Sequence, residues 1–364
     1  MADIAKIDKN FQVMTRVERE NIQYYDIEEE PFRIYGVKKE NGKFRRMPEK
    51  IAESVNQGVL GLHTNTAGGR VRFVTDSNYV AIHAEMDGIP PFPHMPLSGC
   101  AGFDLYVKDA GIEKYQRSFI PPYGVTDGYE SVIDFPDKQE RLITINFPLY
   151  SNVNKLYIGL EGNASLKQAP PYTFETPVVY YGSSITQGGC ASRPGNCYQN
   201  ILTRRFDCDH INLGFSGSAR GEVEMAEWIK QLSMQVFVLD YDYNAPDPEH
   251  LKATHERMFT IIRNANPRLP IIIMSRPQFY LTPEEQERLA IIRATYEHAL
   301  ASGDKNVYFI DGPSLMELIQ DNGTVDNCHP TDSGFASMAA AVGKVLEKIL
   351  RGDTNRGIDN LKTF

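Results

Sequence analysis

The chain has 364 residues, 41% of them hydrophobic, and a formal net charge of −9. That length exceeds one ordinary domain and predicts two. An acidic balance with no cluster of Lys and Arg along one face argues against a nucleic-acid partner, which would need a basic footprint for phosphate. No stretch approaches the roughly 20 apolar residues of a membrane-spanning helix, so no membrane partner is expected. The first ten residues carry acids and lack the apolar core of a secretory signal. The five cysteines are Cys100, Cys190, Cys197, Cys208 and Cys328. An odd number without a dense framework suits a reducing compartment, so the expectation is a cytoplasmic protein with free thiols at Cys190 and Cys197. Neither Cys-x-x-Cys nor His-Glu-x-x-His zinc spacing occurs.

Residues 1–172 read as strands. Arg70–Val74, Tyr79–Ala84, Phe103–Val107, Leu142–Phe147 and Leu156–Leu160 alternate or run apolar, with Gly, Pro and Asn between them. Short strands at this spacing predict a β-sandwich. Pro48–Asn56 is more helical. The segment Asp87–Pro96 is rich in proline and apolar residues; it reads as a rigid surface loop, and the alternative is a wall or lid over a site in the second half.

From Phe174 the pattern changes. Apolar runs at Val178–Tyr181, His210–Leu213, Val236–Asp240, Ile271–Met274 and Val307–Ile310 alternate with helix-like stretches. Those stretches are Tyr198–Phe206, Glu222–Leu232, Pro248–Asn266, Pro283–Ser302, Pro313–Gln320 and Ser333–Leu350. Buried strands separated by helices predict a three-layer α/β/α domain around a parallel sheet of about five strands. The Pro-bearing connector Gln168–Tyr172 sets the division at 1–172 and 173–364.

In such sheets the ligand lies beyond the carboxyl ends of the strands. Four predicted strand ends carry reactive groups: Gly182-Ser-Ser184-Ile, Asn212-Leu-Gly-Phe-Ser-Gly217, Asp242-Tyr-Asn244 and Asp326-Asn-Cys-His329. A serine after a strand is also an ordinary helix cap. Together, however, these segments supply a hydroxyl, a small residue with a free backbone N–H, an amide, and an Asp three residues before a His. Acyl transfer needs that set: a nucleophile, an imidazole to take its proton, an acceptor to hold the imidazole, and donors for the oxyanion.

These four segments resemble the sequence blocks of the SGNH hydrolases, the GDSL-type esterase superfamily. The resemblance implies Ser184 as nucleophile, His329 as base and Asp326 as its orienter. It also implies an oxyanion hole from the N–H groups of Ser184 and Gly217 and the side chain of Asn244. Two positions depart from the pattern: Ser183 replaces the usual Asp before the nucleophile, and Asp242 replaces the Gly that opens the third block. Gly102-Phe-Asp-Leu-Tyr106 resembles the G-x-D-L-Y motif of the N-terminal, carbohydrate-binding-module-like β-sandwich fused to one branch of this superfamily. Arg70–Ser77 fits the same domain.

The resemblance implies a serine esterase acting on acylated oligosaccharides or other small esters, with O-acetyl groups on carbohydrate as the leading substrate. An acyltransferase using the same residues, or a lipase- or thioesterase-type hydrolase, is the alternative. No cofactor or metal is implied. Arg193 and Asp242 are candidate substrate contacts, and Cys328 and Trp228 read as packing residues. Assembly into a homo-oligomer is left open.

Overall fold

The computed structural model describes residue 8, residues 12–13 and residues 16–352. Apart from Asp8, the expectation about residues 1–10 falls outside the described residues. The first half holds strands β1 (Ile22–Asp26), β2 (Arg33–Tyr35), β3 (Lys38–Glu40), β4 (Lys43–Arg45), β5 (Arg70–Thr75) and β6 (Tyr79–Asp87). They continue with β7 (Phe103–Asp109), β8 (Ile112–Phe119), β9 (Gly128–Asp134), β10 (Arg141–Asn146), β11 (Asn152–Glu161) and β12 (Leu166–Gln168). Three antiparallel sheets result: two large ones in the orders β1-β11-β6-β9 and β12-β5-β10-β7-β8, with β2 also on β5, and the two-stranded β3-β4. Val80, Ile82, Leu156 and Ile158 of one large sheet share a buried core with Val71, Phe73, Ile143 and Ile145 of the other. This is the expected sandwich, built by period-two alternation.

β5 departs from simple alternation because both of its faces are covered. Val71 and Phe73 face the sandwich core, while Arg70 and Arg72 are fully buried on the other side. Arg70 binds the Asp209 carboxylate and the His210 carbonyl oxygen of the second half. The Arg72 guanidinium lies 4.0 Å from the ring centroid of Tyr172, in the connector. Alternating Arg residues, which sequence alone would place in water, here form the seam between the halves.

The second half begins with β13 (Phe174–Gly182), followed by β14 (Cys208–Gly214), β15 (Val236–Asp240), β16 (Ile271–Met274) and β17 (Val307–Ile310). All pair in parallel, in the order β14-β13-β15-β16-β17. Their apolar runs are covered on both faces, as a parallel sheet requires. The short helices α1 (Glu49–Val55), α2 (Gln57–Leu62) and α3 (Leu97–Cys100) come from the first half. α4 (Ser184–Gln187), α5 (Tyr198–Phe206), α6 (Val223–Ile229), α7 (Pro248–Ala265), α8 (Pro283–Ala301), α9 (Gly312–Leu315) and α10 (Asp332–Gly352) follow. The helix expected over Pro313–Gln320 stops at Leu315. Gln320 has a φ of 56°, left-handed backbone that a continuing helix cannot hold.

The division of the sequence at residue 172 is not a division of the packing. Met47, Ala52 and Val59, on and beside α1 and α2, join Val179, Tyr181 and Leu213 in the core on one face of the parallel sheet. Among the described residues no helix is long and apolar enough to cross a membrane.

Candidate active site

The central strand β13 ends at Gly182, where only a glycine fits. A Cβ there would meet the Asp240 carbonyl oxygen at 2.1 Å and Thr186 Oγ1 at 2.2 Å. The chain then turns into α4. Ser183 caps that helix, its Oγ accepting the Ile185 N–H at 3.2 Å. A serine can therefore do the capping work of the acid it replaces. Ser184 is the first helical residue, so its own N–H has no intrahelical acceptor.

Ser184 Oγ lies 2.9 Å from His329 Nε2. His329 Nδ1 lies 2.8 Å from Asp326 Oδ2. The other Asp326 oxygen accepts the backbone N–H groups of Cys328, at 3.1 Å, and His329, at 2.7 Å. Partial burial works to raise the Asp326 carboxyl, but these bonds outweigh it and hold it below its ordinary value. An ionised carboxylate beside Nδ1 keeps the proton on that nitrogen and leaves the Nε2 lone pair facing Ser184. The arrangement can accept a hydroxyl proton and return it.

The loop after β14 and the turn after β15 meet beside this row. Asn244 Nδ2 donates to the Phe215 carbonyl at 2.9 Å, and Asn244 Oδ1 accepts the Gly217 N–H at 3.1 Å. Both contacts demand this orientation of the amide. Asn244 thus keeps one N–H of its amide for a ligand, whereas the Gly217 N–H, expected to be free, is already engaged. Behind them, Gln187 ties α4 to the loop after β14 and to the first half: its Oε1 accepts the Ser216 N–H, and its Nε2 donates to Asn65 Oδ1 and the Leu149 carbonyl. Asn212 Nδ2 donates to the Thr186 carbonyl at 2.7 Å.

The two candidate substrate contacts are used elsewhere. Asp242 is almost fully buried and faces Arg276 and Arg288, at 3.3 and 3.4 Å. Its charge is spent on two guanidinium groups rather than offered to a ligand. Arg193 binds Asp104 Oδ2 at 2.7 Å and Tyr106 Oη, and its guanidinium lies 3.8 Å from the Tyr115 ring centroid. Asp104 also accepts the Gly195 N–H at 2.8 Å and Asn146 Nδ2 at 2.7 Å. The Gly-Phe-Asp-Leu-Tyr motif is therefore a clasp, in which Asp104 and Tyr106 of the sandwich grip the loop that follows the Ser184 helix. Neither Arg193 nor Asp242 lines the pocket described next.

That pocket, about 170 Å³, is lined by Phe92, His94, Met95, Tyr150, Gly189, Cys190, Ser216 and His329. Phe92, His94 and Met95 come from the Pro-rich loop, so this loop is a wall of the site rather than a free surface loop. Phe92 packs edge-on against Tyr150, with ring centroids 5.2 Å apart. Tyr150 Oη donates to the Ser184 carbonyl at 3.1 Å. The His94 and His329 rings are 5.7 Å apart. Sequence reasoning missed His94 and Tyr150 because neither lies at the end of a parallel strand. Larger concavities, about 700 Å³ around Phe174 and Pro267 and about 600 Å³ between α7 and α8, lack this grouping. The first opens at the amino ends of the strands, opposite Ser184, so chemistry rather than size selects the smaller pocket.

All five cysteines are free. Burial pushes the Cys190 and Cys328 thiols up to about 12, which leaves them protonated and poor nucleophiles.

Residues 175–347 match the GDSL-like lipase/acylhydrolase family, and residues 22–166 match the N-terminal domain of SGNH-hydrolase-type esterases. The chain belongs to the SGNH, or GDSL-type, superfamily. A candidate GDSL-like lipase from Bacteroides ovatus superposes with a TM-score of 0.82 at 27% identity, covering 91% of this chain and 98% of that one. A salicylyl-acyltransferase from a tetracycline biosynthetic pathway superposes with a TM-score of 0.74 at 20% identity, covering 93% and 99%. An acetyl xylan esterase from the rumen bacterium Butyrivibrio proteoclasticus gives a TM-score of 0.56 at 13% identity, covering 91% and 99%. No curated protein matches the sequence significantly. For this SGNH-type chain the last two likenesses speak to the fold.

Proposed function

We propose that this protein is a serine esterase that removes small O-acyl groups, foremost O-acetyl, from carbohydrates through an acyl-enzyme on Ser184. The observation that carries the reading is the unbroken row Ser184 Oγ–His329 Nε2–Asp326 at the carboxyl ends of the parallel strands. His329 takes the Ser184 proton as Oγ attacks the ester carbonyl. The oxyanion is met by the Ser184 N–H and the remaining Asn244 N–H, with the Gly217 N–H joining as its bond to Asn244 loosens. His329 then protonates the departing sugar oxygen, and water repeats the sequence on the acyl-enzyme. Asp326 holds the imidazolium throughout without taking its proton. A pocket of about 170 Å³ favours a short acyl group.

Acetate release from a panel of acetylated oligosaccharides tests this, with wild type beside Ser184→Ala. The variant should lose on the order of 10⁴-fold or more in kcat. Equal release by both proteins would remove Ser184 from the mechanism. The fold shared with a salicylyl-acyltransferase supports a second reading, in which an acceptor hydroxyl replaces water on the same acyl-enzyme. Adding sugar or alcohol acceptors to the same assay separates the two: a transferase forms ester at the expense of free acid.

A further inference from the structure

We propose that His94, Cys190 and His329 form a binding site for a zinc ion, and that zinc bound there shuts down the Ser184 site. The His94 and His329 ring nitrogens and Cys190 Sγ that would serve as ligands all lie within 4.8 Å of one another. Three separate segments bring them together: the Pro-rich loop of the sandwich, the turn after the Ser184 helix, and the loop before α10.

The donor set selects the metal. Two imidazoles and a thiolate suit a borderline-soft ion with tetrahedral preference and are foreign to magnesium or calcium, which take oxygen. Zinc bonds of about 2.0–2.1 Å to nitrogen and 2.3 Å to sulfur place the ligand atoms of one site roughly 3.5 Å apart. The three atoms therefore need to close by roughly 1 Å. His94 can supply that movement, since its side chain is 41% exposed and sits on a loop. Its Nε2 lies 3.9 Å from Asp326 Oδ2, beyond hydrogen-bond reach.

His329 is already set up as a ligand. Asp326 holds its Nδ1 at 2.8 Å, the carboxylate–histidine support that orients metal-binding imidazoles and raises their basicity. The fourth position falls to water or to Ser184 Oγ, which is 2.9 Å from the same Nε2. Binding releases the Cys190 thiol proton to solvent. A zinc ion on His329 Nε2 occupies the lone pair that would accept the Ser184 proton, so metal binding and base function exclude each other. The site itself stands on the ligand geometry; only its effect on turnover rests on the esterase reading.

The full-length Ser184→Ala protein keeps all three ligands and is titrated with cobalt(II), a visible stand-in for zinc. The expected result is one equivalent bound, with tetrahedral visible bands and a near-ultraviolet thiolate-to-cobalt charge-transfer band. Adding Cys190→Ser should abolish the charge-transfer band. Adding His94→Gln, on an exposed loop where folding is least at risk, should weaken binding at least about tenfold. In parallel, zinc chloride is titrated into wild-type turnover of p-nitrophenyl acetate, with each variant referred to its own metal-free rate. Inhibition should reverse with a chelator and need at least about tenfold more zinc in either variant. An octahedral spectrum without charge transfer, or the same half-inhibiting zinc concentration in all three proteins, overturns the proposal. Charge transfer in a protein with no turnover of any ester would leave the metal site standing and sink the esterase reading.

Discussion

The three candidate oxyanion donors are not equivalent. The Gly217 N–H is spent on Asn244 Oδ1, while the Ser184 N–H and one Asn244 N–H remain for a ligand. Asn244 therefore acts twice, as a donor and as the pin that fixes the loop after β14. Asn244→Ala should lower kcat about 10²–10³-fold, the usual cost of one such donor, and shift KM little. Gly217→Ala keeps its N–H. Nothing lies within 4 Å of the added Cβ, and only the left-handed φ of 64° resists it, at about 1–2 kcal/mol. Its kcat should fall less than Asn244→Ala, and steady-state rates on p-nitrophenyl acetate decide; an Asn244→Ala enzyme within tenfold of wild type would remove Asn244 from this role. Deeper in the same region, burial pushes the Asp240 carboxyl up to about 8, against the bond it accepts from Thr186 Oγ1 at 2.9 Å. Its unfolded value is near 3.8. Between pH 4 and 8 the folded chain therefore holds a proton that the unfolded chain has lost, and stability falls as pH rises. Asp240→Asn can still accept from Thr186 but has no proton to lose. Its Tm should match wild type near pH 4 and gain on it steadily up to pH 8; a constant difference across that range would show that Asp240 does not titrate there.

At the scale of elements, the segment with the least regular structure shapes the pocket. The loop between β6 and α3 brings Phe92, His94 and Met95 against His329 and Tyr150. Phe92 meets Tyr150 edge-on and His94 at a tilt and is 37% exposed, so its removal opens space without breaking a core. Phe92→Ala should raise kcat/KM for butyryl relative to acetyl esters about tenfold or more, the order expected when a pocket admits extra methylenes. An unchanged ratio in paired assays would place the acyl group elsewhere. The same loop marks the boundary of what sequence can say. β15, β16 and β17 were legible to the residue because short apolar runs between turns are buried on both faces. β8, Ile112–Phe119, was missed because it is mostly exposed and carries polar residues on both sides of an edge strand. Ser184, Gly217 and Asn244 could be found because each follows a strand; Asp326 and His329, expected at a strand end, lie beyond α9 in the loop before α10 and could be found by their three-residue spacing ahead of the last helix. His94 and Tyr150 could not, since packing between the halves brings them to the site from irregular loops.

Over the whole molecule, the sandwich is built into the α/β half rather than appended to it. Arg46 passes from the first half behind the second block and donates to the carbonyls of Asn212 and Gly214, with its guanidinium 4.5 Å from the Phe215 ring centroid. Tyr150 and Leu149 support α4, and Met47, Ala52 and Val59 fill one face of the parallel sheet. A chain beginning at residue 173 would lose all of these at once. It would expose Val179, Tyr181 and Leu213, which are fully buried in the intact protein. It would also strip the loop carrying Gly217 of the bonds that Arg46 gives to the Gly214 carbonyl and Asn56 Nδ2 to the Ser218 carbonyl, leaving only the Asn244 and Gln187 contacts among these ties. The separated 173–364 fragment should therefore aggregate or give little soluble protein, and what remains soluble should turn over esters far more slowly than the full chain. Co-expression with residues 1–172 should restore both yield and rate, because the lost contacts are noncovalent. Soluble yield and kcat measured on the fragment alone and on the co-expressed pair check this. A soluble, monomeric fragment with the full-length kcat would mean that the sandwich contributes nothing to the site it walls, and the roles given to Arg46, Tyr150 and the Phe92 loop would fall with it.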